Sequence, residues 1–320
     1  MSSFEVRVRE VTAAAQGIAS FILEATDGSA LPPYTAGAHI DVEAAPGVTR
    51  QYSLCGELSG GVWRIAVLKD PNSRGGSMAM HDRITAGSTL RVSQPRNLFQ
   101  LQAAPHSLLI AGGIGITPIL AMASELRRAG KPFELHYCAR SPERMAFRDE
   151  MRAGEIAPCS RFYFDDAPDS GRFDVAGVLQ AAPPGTHLYI CGPSGFIDVV
   201  LETARKAGWA EDRLHREHFA AVIDTSGQGF TLKIAGRGQS IFVPDGTSAL
   251  QALLAAGYDI PHSCEAGICG SCTLRVVDGI PDHRDICLSD ADKTANAVFT
   301  PCCSRAMTST LTIDIEASAH

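Results

Sequence analysis

Cys264, Cys269 and Cys272, followed far downstream by Cys302-Cys303, carry the sharpest chemical signal in the sequence. The x4 and x2 spacings with one distant member are those of a plant-type [2Fe–2S] cluster, in which two irons share four thiolates. Gly267 and Gly270 fall inside the loop, where they let the backbone pass close to the sulfurs. A structural zinc site would draw on two short-spaced Cys/His pairs, and the far member brings no CxxC or HxxxH partner. Spacing leaves the fourth ligand open by one residue: 29 residues separate Cys302 from Cys272, with Cys303 next to it.

Glycine-rich stretches give the second signal. Ser73-Arg74-Gly75-Gly76-Ser77 sets exposed backbone N–H groups beside two hydroxyls and a guanidinium, which suits a phosphate as well as it suits a plain turn. Gly112-Gly113-Ile114-Gly115-Ile116-Thr117-Pro118 follows an apolar run and opens a helix, where free N–H groups favour an anion. It departs from the dinucleotide fingerprint, because Pro118 stands where the third glycine belongs. Cys191-Gly192-Pro193-Ser194-Gly195 forms a second such turn at the C-terminal end of a strand, the ligand-binding end of an open α/β sheet. Arg50-Gln51-Tyr52-Ser53-Leu54 alternates polar and aromatic groups on a strand, a pattern an ordinary surface strand shares. In Glu217-His218-Phe219 a lone histidine is more often structural than a proton donor, and Phe219 is either a core ring or a ring laid over a flat cofactor.

These residues need elements to hold them. The chain has 320 residues, enough for two or three domains, and 45% hydrophobic content is ordinary for a globular protein. No apolar run approaches the roughly eighteen residues of a membrane-spanning helix. The start lacks the apolar core of a signal peptide, so the cytoplasm is expected. Ten cysteines in that compartment argue for metal ligation over disulfides. A net charge of −7 argues against nucleic acid as a partner. The last 95 residues hold 6 basic and 10 acidic groups, so the acidic end is the cluster end: a solvated face, or a docking face for a basic partner.

Short strands over Phe4–Val8, His39–Glu43 and Trp63–Leu68, with Gly, Pro and Ser between them, predict an antiparallel β-barrel over residues 1–102. From Ser107 the pattern changes to strands alternating with helices. Strands over Ser107–Ala111, Phe133–Ala139, Arg161–Asp165 and His187–Cys191, with helices over Pro118–Ala129 and Phe196–Ala207, predict an α/β parallel-sheet domain over 103–225. Asp224–Gly229 reads as a polar linker. Beyond it, a hairpin of Thr231–Ala235 and Ser240–Val243, a helix over Ser248–Ala256, the cysteine loop and strands over Thr273–Val277 and Leu311–Ile315 predict a β-grasp domain over 226–320. The fold class expected is multidomain α+β.

Taken jointly and in order, Arg50-Gln-Tyr-Ser-Leu-Cys55, Ser73-Arg-Gly-Gly-Ser77, Gly112-Gly-Ile-Gly-Ile-Thr-Pro118, Phe133-Glu-Leu-His-Tyr-Cys-Ala-Arg140, Cys191-Gly-Pro-Ser-Gly-Phe196, Cys264–Cys272, Pro281-Asp-His-Arg-Asp285 and Cys302-Cys-Ser-Arg-Ala306 resemble the phthalate dioxygenase reductase family, the flavin/iron–sulfur reductases of two-component Rieske oxygenases. The resemblance covers essentially the whole chain. It implies FMN lined by Arg50, Tyr52 and Ser53, its phosphate held by Arg74, Gly75, Gly76 and Ser77, with Thr117 also approaching it. It implies nicotinamide dinucleotide binding by Gly113, Gly115, Arg140, Cys191, Gly192 and Pro193, and Phe219 near the flavin where the nicotinamide enters. The family's Cys-x-Ser-Arg pattern picks Cys302 as the ligand that joins Cys264, Cys269 and Cys272. A ferredoxin domain at the C-terminus implies FMN rather than FAD.

The chemistry agrees with that order. A nicotinamide gives up two electrons together and a [2Fe–2S] cluster accepts one at a time, so a flavin must stand between them. No side chain is needed as general acid or base. NADH is expected over NADPH, since no dense basic cluster follows Ala139. The expected acceptor is a Rieske-type aromatic oxygenase or O-demethylase, and the expected state a monomer with an accessible cluster face. The alternatives are the same chemistry serving a di-iron or cytochrome P450 oxygenase, and a redox-sensing flavin/iron–sulfur protein without turnover.

Overall fold

Strict alternation along the first strands leads to the barrel. The computed structural model describes residues 3–56, 61–71, 75–166, 171–219 and 224–318, which form two compact units, Met1–Phe219 and Ala220–His320. In the first unit β1 (Ser3–Ala15), β2 (Ile18–Ala25), β3 (His39–Ala45), β4 (Val48–Ser53), β5 (Val62–Leu68) and β6 (Thr89–Ser93) build an antiparallel sheet ordered β4-β3-β6-β1-β2-β5. A bridge between Leu54 and Ile65 joins its two ends and closes the barrel. The curled sheet encloses one apolar interior, filled by Val6, Val8, Phe21, Leu23, Ile40, Val42, Trp63 and Ile65. Trp63 keeps its indole N–H satisfied by donating to the Pro32 carbonyl at 3.0 Å. Helix α1 (Gly76–Arg83) packs against this sheet.

The same unit continues into a parallel sheet ordered β11-β10-β7-β8-β9, built from β7 (Ser107–Gly112), β8 (Phe133–Ala139), β9 (Ser160–Phe164), β10 (His187–Gly192) and β11 (Leu214–His218). Central β7 is buried along its whole length, as a strand covered on both faces must be. Helices α2 (Ile116–Arg128), α3 (Arg148–Ala153), α4 (Val175–Ala181) and α5 (Ser194–Lys206) complete it. Helix α2 carries Pro118 in its first turn and stops at Gly130, whose φ of +63° ends the helix without the strain a side chain would bring. The barrel and the parallel sheet share a core: Ile18, Ala36, Cys55, Ala66 and Phe99 cluster with Ile116, Leu120 and Met122 of α2.

The second unit holds β12 (Phe230–Ile234), β13 (Ser240–Val243), α6 (Ala249–Ala255), β14 (Leu274–Asp278), β15 (Pro281–Asp282), α7 (Asp290–Ala295), β16 (Val298–Phe299), β17 (Arg305–Ala306) and β18 (Thr310–Ser318). Its sheet is ordered β13-β12-β18-β14-β16, with β12 and β18 parallel, the central pairing of a β-grasp. Ser248 and Gln251 close a capping box at the start of α6 through two 3.1 Å bonds, a device worth about 1 kcal/mol. Leu232, Leu250, Leu253, Leu274, Phe299 and Leu311 form the interior, and Cys272, Cys302 and Cys303 border it. Among the described residues, no helix is long and apolar enough to cross a membrane.

Candidate functional site

The four cysteines stand as two pairs. Cys264 and Cys269 interact directly, and so do Cys272 and Cys302. The Cys264 thiol, donating to Cys269, draws the Cys269 pKa down to about 5, with help from Ser271, while Cys264 itself is held high. The loop aims backbone N–H groups at these sulfurs: Ala266 to Cys264 at 3.3 Å, Gly267 to Cys302 at 3.2 Å and Ser271 to Cys269 at 3.5 Å, with the Ser271 hydroxyl adding a bond of 3.1 Å to Cys269. Such donors need a loop that curls. Glu265, Gly267 and Gly270 take φ values of +50°, +70° and +69°. A Cβ on Gly267 would collide with Cys303 and approach the Asp285 Cα to 3.0 Å, so only glycine passes there. Four thiols, paired two and two under N–H donors, fit a cluster of two irons. Cys303 is buried and faces Thr300 and Ser304, while Cys302 is the one beside Cys272.

In the first unit the structure brings together groups far apart in sequence. The Arg50 side chain lies over Gly76, where an added Cβ would meet its Cγ at 2.5 Å. Gly75 adopts the left-handed conformation that begins α1, so Gly75, Gly76 and Ser77 form a helix start rather than an isolated turn. Ser73 and Arg74 lie outside the described residues. The Ser77 hydroxyl bonds the Asp70 backbone. Tyr52, on β4, has a buried hydroxyl with no hydrogen-bond partner among the described residues, and burial pushes its pKa up to about 12. A buried hydroxyl without a partner costs roughly 1–3 kcal/mol, so this one suits a site where a bound group meets it. The orphaned hydroxyl and the glycine start under Arg50 fit a flavin ring and its phosphate.

The two glycine turns of the parallel sheet abut. A Cβ on Gly115 would run into the Cys191 carbonyl and sit 2.7 Å from the Gly192 nitrogen. One on Gly192 would sit 3.0 Å from the Gly112 Cα, and one on Gly112 would sit 3.0 Å from Pro193. Gly113 takes a φ of +55°. Thus Gly113, Gly115, Cys191, Gly192 and Pro193 meet at the C-terminal ends of β7 and β10, and Arg140 is exposed at the end of β8. Thr117 is buried in the first turn of α2, where its hydroxyl donates to the Ile114 carbonyl at 3.1 Å. Phe219 is 40% exposed, which removes the core reading for its ring. His218 is half-buried, and burial lowers its pKa.

One residue has no signature in the sequence. Glu217 pairs in register with Cys191 across β11 and β10, and its carboxylate accepts from the Ser53 hydroxyl at 3.5 Å. Burial pushes the Glu217 pKa up to about 8, against the smaller pull of Ser53. Burial and then Glu217 hold the Cys191 thiol well above its usual range, so it stays protonated. A hydroxyl, a thiol and a carboxyl therefore converge from β4, β10 and β11, and only the strand order makes them neighbours.

A closed barrel with a flavin-shaped cradle, a parallel sheet with paired glycine turns and a β-grasp unit with four paired thiols define a flavin- and iron–sulfur-dependent oxidoreductase. The model of the 2Fe-2S iron-sulfur cluster binding domain matches residues 232–307, and that of the dimethylamine monooxygenase subunit DmmA-like N-terminal domain matches 92–214. The chain is 49% identical over 315 residues to a vanillate O-demethylase oxidoreductase of Pseudomonas sp. (strain HR199 / DSM 7063), covering 97% of this chain and 99% of that protein. A solved phthalate dioxygenase reductase, described as a modular structure for electron transfer from pyridine nucleotides to [2Fe–2S], superposes with a TM-score of 0.79 at 36% identity over 98% of both chains. An intact type IV self-sufficient cytochrome P450 monooxygenase superposes with a TM-score of 0.81 at 37% identity, over 97% of this chain and 41% of that one. The chain belongs to the phthalate dioxygenase reductase family, whose members are reductase components of oxygenase systems with FMN, NADH and a [2Fe–2S] cluster as cofactors.

Proposed function

We propose that this chain takes electrons from NADH, passes them through FMN to its [2Fe–2S] cluster and delivers them to the Rieske-type oxygenase component of an aromatic O-demethylase, with vanillate as the substrate. In this reading residues 1–102 serve the flavin, 103–225 the nucleotide and 226–320 the cluster, and the chain acts as a monomer in the cytoplasm. The observation that carries it is the pair of thiol pairs in a β-grasp unit, on one chain with a cradle that orphans the Tyr52 hydroxyl.

When bound, a flavin accepts electrons in pairs and releases them singly, which is the conversion this route needs. The chain's own residues place and hold. Arg50 and the N–H groups at Gly75, Gly76 and Ser77 would neutralise the flavin phosphate, and Arg74 is assigned to the same task. The Tyr52 hydroxyl would donate to the flavin, and Ser53 would help to orient it. Thr117 steadies the turn that faces the flavin by tying it to Ile114. Gly113, where an added Cβ would meet nothing within 4 Å, would offer open backbone to the dinucleotide, the abutting turns of Gly115, Cys191, Gly192 and Pro193 would hold that backbone in place, and Arg140 would pair with its charge. Phe219, exposed at the end of the first unit, would lie near the flavin where the nicotinamide would enter. Glu217 stays neutral through most of the physiological range and keeps its proton at the carboxyl beside Ser53. Cys264, Cys269, Cys272 and Cys302 ligate the irons, under N–H donors that favour the reduced cluster.

Reconstitution tests the reading. Purified protein with vanillate O-demethylase oxygenase, and separately with phthalate dioxygenase oxygenase, is given NADH or NADPH and product formation is followed. Faster vanillate turnover with NADH is expected. Cluster absorption that fails to bleach with NADH, or a preference for NADPH, contradicts it.

A further inference from the structure

The stretch Pro281-Asp-His-Arg-Asp285 has no part in the route above, yet its last residue is a fully buried acid beside the cluster loop. Asp285 Oδ2 accepts from the Leu288 N–H at 2.9 Å and faces the Cys287 thiol at 3.7 Å. Oδ1 accepts from the hydroxyls of Thr300 at 3.2 Å and Ser304 at 3.3 Å, both of them buried. Lys293, on α7, donates to the Asp285 carbonyl at 2.6 Å and brings its ammonium to 3.9 Å from Oδ2. The His283 ring stands beyond, with Nδ1 3.7 Å from Oδ1 and Nε2 3.3 Å from Asn296 Oδ1. The groups that bond the carboxyl are donors and a cation, which is the setting of an ionised carboxylate: a buried charge is tolerable only when so served.

Asp285 touches both chain segments that carry the proposed ligands. A Cβ on Gly267 would stand 3.0 Å from Asp285 Cα, so the cluster loop lies directly on this residue. The Ile286 N–H donates to the Gly267 carbonyl at 2.9 Å, and the Gly267 N–H bonds the Cys302 sulfur at 3.2 Å. Thr300 and Ser304 flank Cys302 in a turn closed by the Ser304 N–H on the Thr300 carbonyl at 3.0 Å. One acidic residue thereby joins the loop of three ligands to the turn that holds the fourth.

Each electron accepted adds a negative charge to the cluster, which a neighbouring carboxylate opposes and a neighbouring ammonium favours. At an effective dielectric constant of about 20, a unit charge about 12 Å away shifts a one-electron equilibrium about ten-fold. Asp285, packed on Gly267, is nearer than that to the Cys302 sulfur. The geometry points to Asp285 as a positioning residue for the cluster: it joins the two ligand segments, and its charge holds the cluster's potential low, with Lys293 acting in the opposite sense. A low potential lets the cluster hand its electron on readily to an acceptor. This inference rests on Cys264, Cys269, Cys272 and Cys302 as the ligands.

The test uses the full-length holoprotein as wild type, D285N and K293M. Each is titrated with dithionite in the presence of redox mediators, and the reduced cluster is followed by EPR. Iron per chain and the rate of flavin reduction by NADH are measured alongside. The D285N cluster is expected to hold its electron about ten-fold more tightly, a rise in midpoint of about 59 mV for a one-electron couple. K293M is expected to move the midpoint the other way, by about two- to three-fold in the same equilibrium, because the Lys293 side chain is 28% exposed and water screens it. Flavin reduction stays as in wild type in both. Midpoints that move in one direction in both variants, as a general loosening of the loop would make them, overturn the inference, and so does an unchanged midpoint in D285N. Where D285N takes up no iron, K293M decides: an unchanged or raised midpoint there overturns the role of charge. A wild-type protein with no cluster signal overturns the ligand assignment instead.

Discussion

The cluster loop and the flavin cradle reach their geometry by opposite means. Between Cys264 and Cys272 nine residues with no helix or strand turn back on themselves, and the conformational cost sits in that loop, at the positive φ of Glu265, Gly267 and Gly270. The flavin and nucleotide groups instead stand at the ends of β4, β7, β10 and β11 and at the start of α1, with ordinary backbone at most positions. One site is a local curl around sulfur; the other is an intersection of regular elements. Damage to a ligand in the first should remove one cofactor and spare everything else, whereas damage to the second should spread through the packing that aligns the elements.

The sharpest break of that contrast is at the fourth ligand. C302S is expected to lose the visible absorption and EPR signal of the [2Fe–2S] cluster while NADH still reduces the flavin, and C303A is expected to keep both. Loss of the cluster in C303A alone would move the ligand by one residue and undo the Cys272–Cys302 pairing. Next in size is G115A. Its Cβ would be driven into the Cys191 carbonyl and to 2.7 Å from the Gly192 nitrogen, backbone atoms that cannot swing aside. Overpacking of this kind costs about 1–3 kcal/mol, so a lowered unfolding midpoint and a raised KM for NADH are expected, with the cluster EPR signal unchanged. A G115A protein of wild-type stability would show that the two turns have room to part.

The third break is a pH dependence. The Glu217 carboxyl titrates near pH 8 in the folded protein and near its ordinary 4.5 when unfolded. Between those values the folded state keeps a proton that the unfolded state releases. The stability linked to it is therefore complete below about 4.5 and declines as pH rises to about 8. Midpoints of thermal unfolding from pH 5 to 9 should fall more steeply in wild type than in E217Q. Parallel curves would mean that Glu217 is not held neutral by its surroundings.

What a reader of the sequence can see follows the same division. The cluster ligands stand out because one short loop holds three of them, and periodicity places β5, β7, β8, β10, β12, β13, α2, α5 and α6 to within a few residues, whereas β2, β6, α3, α4 and α7 go unannounced and β1 runs seven residues past its predicted end. Glu217 is invisible because its neighbours, Ser53 and Cys191, are supplied by strand order, not by spacing. The helix beginning at Gly76 is masked by a glycine pair that reads as a turn. Asp224–Gly229 has the composition of a tether, and nothing in it announces that Arg284 and Arg305, some 58 to 80 residues downstream, bind its carbonyls. Thr117 looks like a hydroxyl offered to a ligand, and the structure engages it with Ile114 in its own turn.

The interior that Ile18, Ala36, Cys55, Ala66 and Phe99 share with α2 has a consequence for how such chains are assembled over evolution. A recombination breakpoint near residue 102 would strip a greasy face from both fragments, so barrel and parallel sheet are inherited as one cassette. The second unit carries an interior of its own in Leu232, Leu250, Leu253, Leu274, Phe299 and Leu311, which is what an iron–sulfur cassette needs if it is to be inherited as a piece.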